Sequence, residues 1–225
     1  MLDVVYEDNQ IIVVIKPQNI PSQADSSGDK DMLTLVKEYI KEKYNKPGNV
    51  YVGLVHRLDR PTGGLMVFAK TSKAASRLSD SIKQNEVNKN YLAVVEGKLK
   101  NVNGSLKDYL LKNEKTNMVS VVGQAVNGAK YAELNYQTLC ERENLSLVKV
   151  NLITGRSHQI RAQFKNMGNV LYNDFKYGSK TKGNLALWSY ELKLIHPTTK
   201  QKLTFKMYPN FVGVWKKFEN EISVL

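Results

Sequence analysis

Trp188-Ser189-Tyr190-Glu191-Leu192-Lys193-Leu194 alternates large apolar residues with small or charged ones. A period of two lines one face of a strand with apolar side chains and leaves the other face wet, the mark of antiparallel sheet. The same rhythm returns in Val148-Lys149-Val150-Asn151-Leu152 and in Leu203-Thr204-Phe205-Lys206-Met207. At the other end, Val4-Val5-Tyr6, a polar turn at Glu7-Asp8-Asn9-Gln10 and the aliphatic run Ile11–Ile15 read as a hairpin that stops at Lys16-Pro17. Residues 18–30 are polar and read as a loop. Asp31 then caps a helix with Leu35, Val36, Tyr39 and Ile40 on its apolar side, and a second helix is expected over Ser72–Asn85 with Ala74, Leu78 and Ile82 in one stripe. A third, about His158–Met167, ends at Gly168. The reading is an α+β fold, a mostly antiparallel mixed β-sheet flanked by a few helices, in a single domain over 1–225. No βαβα alternation, GxGxxG or GxxxxGK(S/T) is present, which removes the common nucleotide-cofactor folds.

Lysine and arginine number 33 against 21 acids, a net charge of +12 that favours polyanionic partners. From Lys176 to Lys206 seven lysines (176, 180, 182, 193, 200, 202, 206) face one acid, Glu191, with Tyr172, Tyr177, Trp188 and Tyr190 among them. Charge interleaved with aromatic rings suits a nucleic-acid groove with stacking surfaces. The competing reading is a solvated edge strand guarded by lysine. The one cysteine, Cys140, cannot form an internal disulfide and fits a reducing cytoplasm. With three histidines and neither CxxC nor HxxxH, no metal site is expected. The longest aliphatic run has five residues where a membrane helix needs about twenty. Met1-Leu2-Asp3 lacks the start of a secretory signal, so neither membrane insertion nor export is expected.

Three polar knots stand out. His56-Arg57-Leu58-Asp59-Arg60 sits between Val52-Gly53-Leu54-Val55 and Leu65-Met66-Val67-Phe68-Ala69, with a turn expected at Pro61-Thr62-Gly63-Gly64. Charges at the end of a buried strand are costly unless paired, and an arginine folded near Asp59 would hold it ionised. Such a carboxylate can act as a nucleophile. A plain turn in which Asp59 bonds backbone amides competes with that reading, and both stay open here. Thr154-Gly155-Arg156-Ser157-His158-Gln159-Ile160-Arg161 opens the third helix, with Ser157 or Thr154 as cap and with arginines that attract phosphate or carboxylate. In isolation a capped surface helix with solvated charges is the favoured reading of this segment. Lys89-Asn90-Tyr91-Leu92-Ala93-Val94-Val95-Glu96-Gly97 is a strand with Tyr91, Ala93 and Val95 on one face and Tyr91 expected to be half-buried.

Taken together, HRLDRPTGGLMVFAKT, KNYLAVVEG and LITGRSHQIRAQF, in this order, resemble the RluA-type pseudouridine synthases. The resemblance extends over nearly the whole chain, from VVYEDNQIIVVIKPQNIPSQ to YNDFKYG and LALWSYELKLIHPTTKQKLTF. It implies an isomerase that converts uridine in structured RNA to pseudouridine, with an RNA-binding cleft across the sheet. Asp59 matches the family's essential aspartate, Tyr91 the tyrosine against the uracil ring, and Arg161 the basic residue that pairs with the aspartate. Arg57 matches the arginine that replaces the flipped base, and Arg60, Arg156 and His158 are further candidates for substrate binding. Departures are Pro61-Thr62-Gly63 after HRLDR, Asn173-Asp174 where Gly-Asp is usual, and Trp188 where histidine is common. The pattern begins almost at residue 1, so no RNA-binding domain is expected ahead of it.

Pseudouridine formation breaks the bond from C1′ to N1 and rejoins C1′ to C5 without gain or loss of atoms, so the resemblance implies neither cofactor nor metal. The expected partner is ribosomal or transfer RNA with its uridine in a loop, for a cytoplasmic monomer with no obligatory protein partner. A catalytically silent RNA-binding or assembly protein on the same fold is the alternative from another class.

Overall fold

The computed structural model describes residues 2–225. Along the chain run β1 (Asp3–Glu7), β2 (Ile11–Lys16), α1 (Met32–Lys43), β3 (Gly53–Leu54), β4 (Gly63–Ala69), α2 (Ser72–Lys83), β5 (Asn88–Glu96), β6 (Asn103–Asn113), β7 (Met118–Val122), β8 (Lys130–Arg142), β9 (Leu145–Leu152), α3 (Gln159–Asn166), β10 (Leu187–Ile195), β11 (Lys202–Lys206) and α4 (Glu219–Ser223). The fold is α+β, as the alternation predicts. The chain divides into two compact units, residues 2–88 with 189–207 and residues 89–188 with 208–225.

In the first unit the strand order is β1-β2-β4-β10-β11, and β3 pairs with the end of β4. The hairpin expected at the N-terminus is present, and β2 runs antiparallel to β4 from Ile11↔Ala69 to Lys16↔Gly64. Ile11 and Val13 point to one face, where Leu65, Val67, Ala69, Leu192 and Leu194 join Ala74 and Leu78 of α2. The apolar stripe of α2 therefore lies where its spacing placed it. Asp31 caps α1 by accepting from the Thr34 N–H at 3.1 Å. α2 stops two residues earlier than expected because Asn85 turns left-handed (φ 58°) and Glu86 N–H closes on the Ser81 carbonyl.

Two expectations fail here. Gly63 and Gly64 belong to β4, and the turn closes earlier, with Thr62 N–H donating to the Asp59 carbonyl at 2.9 Å. Gly64 has φ 116°, and a β-carbon there would stand 2.2 Å from the Ser189 carbonyl oxygen, so this crossing of β4 and β10 admits only glycine. The second concerns β10, whose supposedly wet face is half dry. Ser189 and Glu191 are buried, and only Lys193 is exposed. Ser189 Oγ donates to the Leu65 carbonyl, while Lys193 and Lys206 approach the Glu191 carboxylate at 3.2 and 3.8 Å.

The second unit is an antiparallel meander in the order β5-β9-β8-β6-β7. β5 is buried on both faces: β9 flanks one edge, and Val170–Tyr172 with Ala186 bond its other edge. Tyr91 is accordingly buried rather than half-buried. α3 packs Ala162 onto Leu110, Val119, Ala132 and Tyr177. It ends as expected, with Gly168 at φ 91° and the bonds Gly168 N–H to Lys165 and Asn169 N–H to Phe164. Its start differs, since the cap is His158 in the left-handed region and neither Ser157 nor Thr154 closes it. Thr154 is engaged elsewhere, accepting from Glu133 N–H and donating to Gln159.

Candidate active site

In the first unit Asp59 lies on an irregular segment between β3 and β4, half-buried, with Arg57 and Arg60 exposed on either side. Irregular backbone near a core must find hydrogen-bond partners outside any ladder. Those partners come from the segment read as a mere loop. Ser22 Oγ donates to the Leu58 carbonyl at 2.7 Å and accepts from Leu58 N–H at 3.1 Å, gripping the residue before Asp59 from both sides. Asn19 N–H donates to the Arg60 carbonyl, and Gln18 Nε2 to the Pro61 carbonyl. His56 Nε2 accepts from Val67 N–H at 3.0 Å, beyond the end of the short β3.

The centre of this brace is Lys16, the fully buried last residue of β2. Its ammonium donates to the carbonyls of Pro17 at 2.9 Å, Ile20 at 2.6 Å and Arg60 at 2.9 Å. Burial pushes its pKa down to about 7, the Asp59 carboxylate pulls it back up, and Arg60 lowers it further. Lys16 thus combines a mechanical hold on the residue after Asp59 with an attractive charge for Asp59 itself. The sequence singled out neither Lys16 nor Ser22. A lysine ending a five-residue aliphatic run was the available signal, because an ion there must be desolvated and satisfied. Arg60 is held by Asp25 and Asp29, and its Nε donates to the Asn19 carbonyl.

In the second unit Arg161 is buried on α3 and donates from Nε and Nη2 to the two Asp174 oxygens at 2.7 and 2.8 Å. This bidentate fork fixes the plane of the guanidinium. The same guanidinium lies 4.8 Å from the centre of the Tyr177 ring. Tyr177 Oη accepts from Val119 N–H at 2.9 Å and meets His158 Nδ1 at 2.8 Å. His158 and Arg161, three residues apart, thus both turn to Tyr177, and a surface helix with solvated charges does not describe α3. Asn173-Asp174, the departure from Gly-Asp, does form a turn: Asn173 takes φ 63°, and Asp174 leads into the 3-10 turn Phe175–Tyr177. Arg156 is exposed, with Nε donating to the Tyr131 carbonyl. Tyr91 faces inward from β5, opposite Val150.

The aromatic residues among the C-terminal lysines need correction as well. The seven lysines are all exposed, but Tyr177 and Tyr190 are core residues, each about 1% exposed, and cannot offer rings to a ligand. Trp188 and Tyr172 are half-buried, and Phe175, beside Lys176, is 71% exposed. Among the described residues no group of three or more His, Cys, Asp or Glu side chains could hold a metal ion. Nor is any described helix long and apolar enough to cross a membrane.

Comparison with known proteins places this arrangement. A family model described as RNA pseudouridylate synthase matches residues 10–166, a span that contains Asp59, Tyr91 and Arg161. An uncharacterized RNA pseudouridine synthase of Mycoplasma pneumoniae is 32% identical over 209 residues, covering 91% of this chain and 66% of that protein. One from Bacillus subtilis is 33% identical over 205 residues, covering 88% and 65%. The chain thus spans just under two thirds of the length of these relatives. The human RNA pseudouridylate synthase domain containing 4 shares the fold, with a TM-score of 0.79 at 19% identity over 98% of this chain and 93% of that one. The chain belongs to the RNA pseudouridylate synthase family.

Proposed function

We propose that this chain isomerises uridine to pseudouridine in structured RNA, with residues 1–225 working as one catalytic domain. The observation that carries the reading is the brace around Asp59: a fully buried ammonium and a buried serine fix the backbone on both sides of one half-buried carboxylate. A turn aspartate with only a structural role needs no such support.

In the proposed reaction the target uridine leaves its stack, at a cost of a few kcal/mol, least where the RNA is already looped. Arg57 fills the vacated space and Tyr91 lies against the base. Asp59 acts at the sugar as the C1′–N1 bond breaks, and Arg161 is the third catalytic residue. The base rotates, C1′ bonds to C5, the C5 proton leaves, and N1 takes up a proton. The exposed Arg60 and Arg156 contact the RNA, whereas His158, expected to join them, is buried against Tyr177 and supports the start of α3. The substrate is ribosomal or transfer RNA, and the enzyme works as a monomer in the cytoplasm.

The test uses total RNA carrying C5-tritiated uridine, prepared from cells lacking the gene. The wild-type protein should release tritium and leave the strands intact. Asp59→Asn should bind the RNA and release none; release at the wild-type rate would overturn the role of Asp59. Tyr91→Phe keeps the ring and removes the hydroxyl, so full activity there limits Tyr91 to stacking.

A further inference from the structure

Three lysine or arginine side chains are buried among the described residues: Lys16, Lys89 and Arg161. Lys16 is satisfied by three carbonyls and Arg161 by Asp174. Lys89 differs. Only 7% of its surface is exposed, and its ammonium has no hydrogen bond or ion pair among the described residues. Burial alone shifts its pKa, downward, and no charged neighbour offsets it. The nitrogen itself is not among the fully buried polar atoms, so it opens to solvent, and an ammonium largely stripped of water with no protein acceptor can take one from a ligand.

Position narrows the ligand. Lys89 and Tyr91 lie two apart on β5, opposite Leu152 and Val150, so their side chains leave the same face of the strand about 7 Å apart. That offset compares with the separation of a nucleotide's base from its phosphate. The Lys89 nitrogen reaches towards the turn before α3 and stands 3.6 Å from where a β-carbon on Gly155 would lie. A β-carbon there would make only ordinary contact with the ammonium, so the turn lies beside it without crowding it, and the next residue is the exposed Arg156. An ammonium beside an exposed glycine turn suits a phosphate oxygen, a singly charged acceptor with several lone pairs.

We infer that Lys89 and the Gly155 turn form a phosphate subsite that holds the phosphodiester of the target nucleotide while its base lies against Tyr91. The inference rests on the proposed isomerase reading and adds to it the group that fixes the nucleotide's register.

Two measurements test it. In protein labelled with ¹³C at the lysine ε-carbon, the Lys89 signal is the one missing from Lys89→Met, or from Lys89→Arg should the methionine variant misfold. Uridine 5′-monophosphate or uridine 3′-monophosphate should raise its titration midpoint, strengthening proton binding tenfold or more, and uridine should leave it in place. A signal that neither nucleotide moves, or that uridine moves equally, overturns the subsite. On the total RNA used above, Lys89→Met should raise KM about tenfold with kcat within twofold, and Lys89→Arg should restore most of the loss. An unchanged KM in Lys89→Met also overturns it. Failure of the isomerase reading is separate: the wild-type protein then releases no tritium, whatever the lysine signal does.

Discussion

Replacing Lys16 with methionine keeps most of the unbranched side chain and removes its charge and all three of its hydrogen bonds. The carbonyls of Pro17, Ile20 and Arg60 lose a charged donor in a buried setting. Each such bond is worth about 1.5–3 kcal/mol, but loss of the ammonium also relieves its desolvation. We expect a net destabilisation of about 3–5 kcal/mol, the usual result of removing one member of a buried charged network. In urea that corresponds to a midpoint lowered by roughly 1–2 M for a slope near the upper part of the usual range. Catalysis should suffer beyond stability, because the Arg60 carbonyl adjoins Asp59 and a shift of about 1 Å at a reacting group can cost about 100-fold. Measured at a temperature where the variant stays folded, kcat should fall by that order. The pH dependence separates the two effects. Lys16 has a folded pKa of about 7, below its unfolded value of 10.5, so the unfolded chain binds more protons between those limits. Its contribution to stability therefore rises with pH from about 7 to 10.5, and Lys16→Met should lose that part of the slope. Activity should run the other way in the wild type, falling as Lys16 loses its proton and Asp59 its positive neighbour. A folded Lys16→Met with kcat within twofold of wild type and the same alkaline limb would show that the lysine neither places nor polarises the carboxylate.

The other predictions concern the frame around the site. Glu7 is half-buried, which raises its pKa, but Lys43, Lys70 and Tyr44 bond its oxygens and bring it down to about 2. Its stabilising effect is complete above pH 4.5 and lost as the pH falls towards 2, so Glu7→Gln should cost about 2 kcal/mol at pH 7 and flatten acid unfolding in that window. Asp174→Asn removes the carboxylate that grips Arg161 through two hydrogen bonds and should cost about 3–5 kcal/mol in chemical denaturation. Tyr177→Phe removes the acceptor of Val119 N–H and the contact to His158, for about 1–3 kcal/mol by the same assay. Gly64→Ala drives a β-carbon into the Ser189 backbone and should lower the melting temperature by more than any surface substitution.

Periodicity made most elements legible, since the three expected helices and the opening hairpin lie within a few residues of where apolar spacing puts them, while the short α4 went unread. It misread the faces of β10. A strand with one neighbour and a strand with two can carry the same alternation, and only the pairing to β4 decides that Ser189 is dry. Glu191 shows the same limit from the side of charge: a carboxylate in a period-two pattern reads as solvent-facing until Lys193 and Lys206 are found beside it. The glycines at 63 and 64 were read as a turn because glycine usually marks one, whereas close approach of two strands selects it equally.

The site was legible as residues and illegible as a structure, for a physical reason. HRLDR names its chemistry locally, but what steadies Asp59 comes from residues 16–22, some forty positions away, through bonds to backbone carbonyls that carry no sequence signature. Side chains that bond backbone need only reach and polarity, so lysine and serine in a loop look like any others. Arg161 and Asp174 are easier in principle, because two opposite charges flanking a helix and a turn can be proposed as a pair. The general guide is desolvation: a charged residue at the end of an aliphatic run, such as Lys16, or inside a strand with an apolar face, such as Lys89, must be bonded within the fold or await a ligand. By that criterion Lys16 belongs to the scaffold of Asp59 and Lys89 to its substrate.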